Sequence, residues 1–154
     1  MGATKAKAEG GALRRAVFSA LLLGLSATAV AAADNLRTVI ELPPEVRTQF
    51  LEHMRTHMTS LDNVIQLIAD GKLKEAGVLA RSEMAIGQGS GLGRHMPREF
   101  REMGFEFHRA ADDFARVTDE MVEPFDAQGW QKVVASLGKI TMRCNGCHVA
   151  FRVK

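Results

Sequence analysis

Near the C-terminus, Cys144-Asn145-Gly146-Cys147-His148 sets two thiols three residues apart, with an imidazole directly after the second. On a helix, residues three apart share a side. Both thiols can therefore reach the two vinyl groups on one edge of a porphyrin, and the next imidazole can turn under the ring to bind iron. C-x-x-C-H is the signature of covalent haem attachment, with His148 as the proximal ligand. Three other uses of a cysteine pair fit less well. A structural zinc site wants four ligands, and this chain has only two Cys. A thioredoxin-type pair belongs on a strand-to-helix unit. A disulfide across two residues would be strained in a helix and would leave His148 unexplained.

The elements that must carry these residues read as four helices. The first opens at Pro43-Pro44, where proline suits the first turn. Its apolar positions Val46, Phe50, Met54, Met58, Leu61, Ile65 and Ile68 step by three or four, and Asp70-Gly71 ends it. A second helix spans about Lys72 to Ile86, with Leu73, Ala76, Leu79, Ala80 and Met84 inward. The run Gly87 to Gly93 has four glycines in seven residues and reads as a flexible connection. It is no phosphate loop, since Gly-Lys-Ser/Thr and a preceding strand are missing. Pro97 restarts the helix, with Phe100, Met103, Phe107, Ala110, Phe114, Val117 and Met121 in one stripe, and Pro124 stops it. The last helix runs from near Gln128 to Arg152, with Trp130, Val133, Val134, Leu137, Ile140 and Cys144 on one face. No stretch alternates with period two. The expectation is an all-α, antiparallel, up-down four-helix bundle in a single domain.

Residues 1–33 read as an export signal. Lys5, Lys7, Arg14 and Arg15 precede an apolar run from Ala16 to Leu25, and Ala31-Ala32-Ala33 offers a small-x-small cleavage site before Asp34. The apolar run is marginal in length for a membrane span. Arg14-Arg15 lacks the preceding Ser or Thr of twin-arginine export, so the general secretory route and a periplasmic destination are expected. The segment holds four of the 20 basic residues and one of the 18 acids. The mature domain, 34–154, thus carries 16 basic and 17 acidic side chains, a net charge of −1. No basic stripe points to nucleic acid.

With its motif at the C-terminus of a four-helix chain, the sequence resembles the cytochrome c′ family and its low-spin relatives. The resemblance covers roughly Leu42 to Arg152. Its most specific part is Cys-Asn-Gly-Cys-His-Val-Ala-Phe-Arg, 144–152, a motif followed by an aromatic and a basic residue. It implies one haem c inside the bundle, with the first helix over its distal face. It also implies Arg152 beside the proximal histidine, where it can tune the axial bond and meet a propionate. Homodimers through the first two helices are common in that family. Four residues after His148, Arg152 falls on the same helical side, and a cation there also suits the helix C-terminal dipole.

The sixth ligand separates the functions. At about 100° per residue, the stripe of the first helix centres near Met54, with His57 about 60° to one side and Met58 about 40° to the other. Counting back from Gly71 against the family's first helix gives Met54 or Arg55 as the distal position, and Arg55 points outward. A Met stripe is ordinarily core packing; a haem in the bundle makes Met54 a ligand candidate. His57 is the second candidate, and an open face without a protein ligand is the third case. Met54 with His148 implies an electron carrier, not an enzyme, exchanging electrons with redox proteins of the periplasm. An open face implies capture of nitric oxide or carbon monoxide. A reading of another class is a copper-handling protein using His53, Met54, His57 and Met58, since His and Met suit copper. His108 is expected to bond a propionate or a carbonyl, and His95-Met96 to be exposed in a loop.

Overall fold

The computed structural model describes residues 36–84, 86–87 and 91–154. The expected export segment, 1–33, lies outside them. The elements all fall in the compact unit Thr38–Lys154. They run β1 (Thr38–Ile40), α1 (Pro44–Ala69), α2 (Leu73–Glu83), a short 3-10 helix (Leu92–His95), α3 (Arg98–Asp119), α4 (Ala127–Ala150) and β2 (Phe151–Val153). The chain is mainly helical, with four α-helices and little sheet. No helix among the described residues is long and apolar enough to cross a membrane.

The helix ends follow from the residues that sit there. Pro44 opens α1, where its missing N–H costs nothing. At the other end Gly71 takes φ +77°, its N–H donates to the Ile68 carbonyl at 3.0 Å, and the Lys72 N–H donates to Leu67 at 2.9 Å. This is a Schellman closure, which requires a left-handed residue that glycine adopts without strain. Asp126 caps α4 by accepting the Gly129 N–H at 2.7 Å.

The close helix packings are α1 on α2, α2 on α3 and α3 on α4. Two apolar clusters fill the interior. The larger joins Leu61, Val64, Leu73, Ala76, Met84, Phe107, Phe114, Val133 and Ile140, with Cys144 at its edge. The smaller gathers Ile40, Leu42, Val46, Phe50, Leu92 and Met96, with Met54, Phe100 and Phe151 against it.

Four expectations need correction. The last helix stops at Ala150, and Phe151–Val153 pairs in parallel with Thr38–Ile40, with Val39 opposite Arg152. Val149, Phe151 and Val153 do alternate, and β-branched Thr38-Val39-Ile40 supplies a partner that favours extended backbone. Where only a flexible connection was expected, the described end of the glycine-rich run, 91–93, leads into a 3-10 helix with Leu92 buried. Met96 is buried and His95 half-buried, because the smaller cluster needs Met96 to fill it. Finally, Met58, Ile65 and Val134 are exposed at 60%, 40% and 58%. The buried face of α1 is Val46, Phe50, Ser60, Leu61 and Val64, whose centre lies within about 10° of His57 and about 70° from Met54.

Candidate functional site

Cys144 and Cys147 are one helical turn apart near the end of α4, both free thiols and both half-buried. Burial raises both thiol pKa values, and the neighbouring Cys144 adds to the rise at Cys147. Both stay protonated near neutral pH, which disfavours nucleophilic chemistry by the bare protein. His148 is exposed.

Contacts to α3 orient this turn. Arg143 reaches Glu106 at 3.6 Å, and Met103 Cε lies 3.2 Å from where a Cβ on Gly146 would stand. His148 stands roughly 140–160° around the helix from Arg143 and Gly146, on the flank turned away from α3. α1 is oriented in the same way. Ser60 Oγ lies 2.9 Å from Glu83 Oε2 at the end of α2. Phe50 and His57 meet Phe100 and Phe107 of α3, with ring centroids 5.7 and 4.9 Å apart. Met54, Met58 and Ile65 stand roughly 120–160° from Ser60, on the flank turned away from α2. The close packings α1–α2, α2–α3 and α3–α4 lie on other faces than these two flanks. Met58, Ile65 and Val134 are exposed, and the pairing of β1 with β2 ties the start of α1 to the end of α4.

Met54 is half-buried and packs in the smaller cluster, where Phe151, three residues beyond His148, is also a member. Cys144 belongs to the edge of the larger cluster. Arg152 lies in β2, just past the end of α4, so a shared helical side with His148 does not apply to it. It is half-buried, and its Nε is buried with no hydrogen-bond partner. His57 Nε2 is buried in the same condition. Burial, then the nearby His53 and His108, lowers the His57 pKa to about 4. His108 Nδ1 donates to the Met84 carbonyl at 2.7 Å, one of the two partners expected for it. Arg55 is exposed and bonded to Glu52 at 3.0 Å, as its outward placement requires.

These residues fit a thioether-linked porphyrin. Two free thiols share one side of a helix end, an imidazole follows, Cys144 stands at the edge of an apolar cluster, and a buried guanidinium nitrogen lacks an acceptor. Met96, buried in the cluster against which Met54 packs, is the residue that sequence reading missed; its place in the loop before Pro97 hid it. Among the described residues, no three His, Cys, Asp or Glu side chains are already gathered as a metal-binding group. No protein-family model, no curated protein and no solved structure matches this chain.

Proposed function

We propose that this chain is an exported monohaem c-type cytochrome that carries electrons in the periplasm, with its helices forming an antiparallel bundle. The observation that carries the reading is the C-x-x-C-H turn at the end of α4, with both thiols free and Cys144 at the edge of the larger apolar cluster. Cys144 and Cys147 would hold the haem by two thioethers and His148 would bind its iron. The three-residue link between α1 and α2, and the packing of each helix on the next, support antiparallel neighbours.

The bound haem supplies a one-electron iron couple, tuned by axial ligands and burial. The protein's own part is to hold, orient and shield. Met58, Ile65 and Val134 would line a seam between α1 and α4 and shield the haem there from water. The unpartnered Arg152 Nε offers a donor to a carboxylate such as a propionate. Met54 would supply the sixth ligand, because it lies on the α1 flank bordering the seam and packs near Phe151. A second reading, capture of nitric oxide or carbon monoxide at an open iron face, draws on the apolar packing of Met54 among Phe50, Leu92 and Phe100. There Met54 would crowd the face without binding.

Optical spectra of the oxidised and reduced protein, with and without carbon monoxide, test the function. The electron-carrier reading expects a low-spin ferric form and a reduced form that takes up carbon monoxide poorly. A high-spin protein that binds it freely would select gas capture.

A further inference from the structure

His53, His57 and His108 form a cluster that the electron-transfer reading leaves without a role. His53 and His57 stand at i and i+4 on α1, with ring centroids 4.2 Å apart. His108 comes from α3, and its ring centroid lies 5.9 Å from that of His57. The three rings also interact electrostatically, since His108 lowers the pKa of both His53 and His57.

The nitrogens are prepared as donors. A backbone carbonyl only accepts, so His108 carries its proton on Nδ1 and presents the Nε2 lone pair. Fixing a tautomer through a carbonyl on the far ring nitrogen is the usual support behind a metal-ligating histidine. His57 Nε2 is buried with no partner, a state that ordinarily calls for an unseen water or ion. With Zn–N near 2.0–2.1 Å, two imidazoles on one tetrahedral ion hold their centroids roughly 5 Å apart. The observed 4.2 and 5.9 Å bracket that spacing. The rings are not yet gathered about one point. Loading therefore requires ring rotation, for which the half-exposed His53 has room, because imidazole χ2 wells are broad.

We propose that His53, His57 and His108 are a second metal site, distinct from Cys144–His148, for a divalent ion of the imidazole-preferring class such as zinc. It differs from the His-Met set on α1 alone by taking its third ligand from α3, while Met58 is left exposed. Metal binding there would clamp α1 to α3.

Zinc titration of the haem-loaded chain by calorimetry tests this. One zinc per chain is expected, with no change in the haem absorption bands. His53→Ala and His108→Gln should each weaken binding at least tenfold, and His95→Ala, outside the cluster, should leave it unchanged. Thermal melts followed by circular dichroism check that the variants fold; His53 is half-exposed, so His53→Ala keeps the test open if His108→Gln does not. Equal affinity in native protein, His53→Ala and His108→Gln would overturn the proposal. So would zinc binding lost only with Cys144→Ala and Cys147→Ala, which would also count against haem at that motif. Failure of the electron-carrier reading alone, seen in the spectra, leaves the His53 and His108 effects as they stand.

Discussion

Met54 and His57 sit one turn apart on α1 and divide the chemistry between them. Met54 borders the proposed α1–α4 seam, whereas His57 lies at the centre of the buried face, against Phe107. If the Met54 thioether completes the iron coordination, Met54→Ala should turn a low-spin spectrum high-spin, lower the reduction potential and admit carbon monoxide. An unchanged spectrum would remove Met54 from the coordination sphere. His57 makes stability depend on pH in a definite direction. Its folded pKa is about 4, below the ordinary 6.5, so between those values the unfolded chain binds more protons than the folded one. Stability is then lost as pH falls from about 6.5 towards 4, and is untouched by this group above that window. At 1.36 kcal/mol per unit the ceiling is about 3 kcal/mol, and partial exposure reduces it to about 1–2 kcal/mol. His53 adds in the same direction. Urea midpoints of metal-free native protein and His57→Gln, compared at pH 7 and pH 4.5, should show the larger acid loss in the native chain. Equal losses would mean that His57 is already solvated.

At the scale of elements, the breakers were legible because each has a local cause. Proline at the start of α1 and glycine after its end fix those boundaries without help from the rest of the chain, whereas the Asp126 cap before α4 was passed over. The rotation of α1 was not legible. Ser60 is buried on its inner face by virtue of Glu83, 23 residues away, and a reading of apolar spacing alone passes over a serine. It therefore turned the stripe towards Met58. The β1–β2 ribbon was missed for a similar reason: three residues at each end pair across nearly the whole described chain, and neither strand signals its partner. The junction of α2 and α3 yields a sharp prediction. A Cβ on Gly77 would overlap Thr118 Oγ1 and stand 3.2 Å from Ala115 Cα. Thr118 is fully buried and bonded to the Ala115 carbonyl at 2.8 Å, so it has little room to move. Gly77→Ala should destabilise by about 1–3 kcal/mol through overpacking, despite the roughly 1 kcal/mol that alanine gains in a helix interior. A variant more stable than native in urea would contradict this close packing.

In the molecule as a whole, the larger cluster is filled by side chains: Phe114, Met84, Val64, Val133 and Ile140 are all fully buried. Cys144 stands only at the edge of that cluster, on the side of α4 where the haem is proposed. A haem-free chain should therefore keep part of its helical circular dichroism and melt at a lower temperature than the loaded protein, the loss arising where α1 and α4 meet. Identical melting of the two forms would mean that the seam gains nothing from the cofactor. The motif at 144–148 was legible from the sequence because its chemistry depends on local spacing alone; the openness of its flank depends on three other helices and was not. Covalent attachment is the most direct thing to measure. Protein from a periplasmic expression system with haem-attachment machinery is extracted into acidified organic solvent, and the pigment in each phase is read by its absorption. The native chain should retain its haem on the polypeptide, and the Cys144→Ala, Cys147→Ala double variant should release whatever haem it holds. Native protein that gives up all its haem to the solvent, or carries none, would contradict the assignment of Cys144, Cys147 and His148.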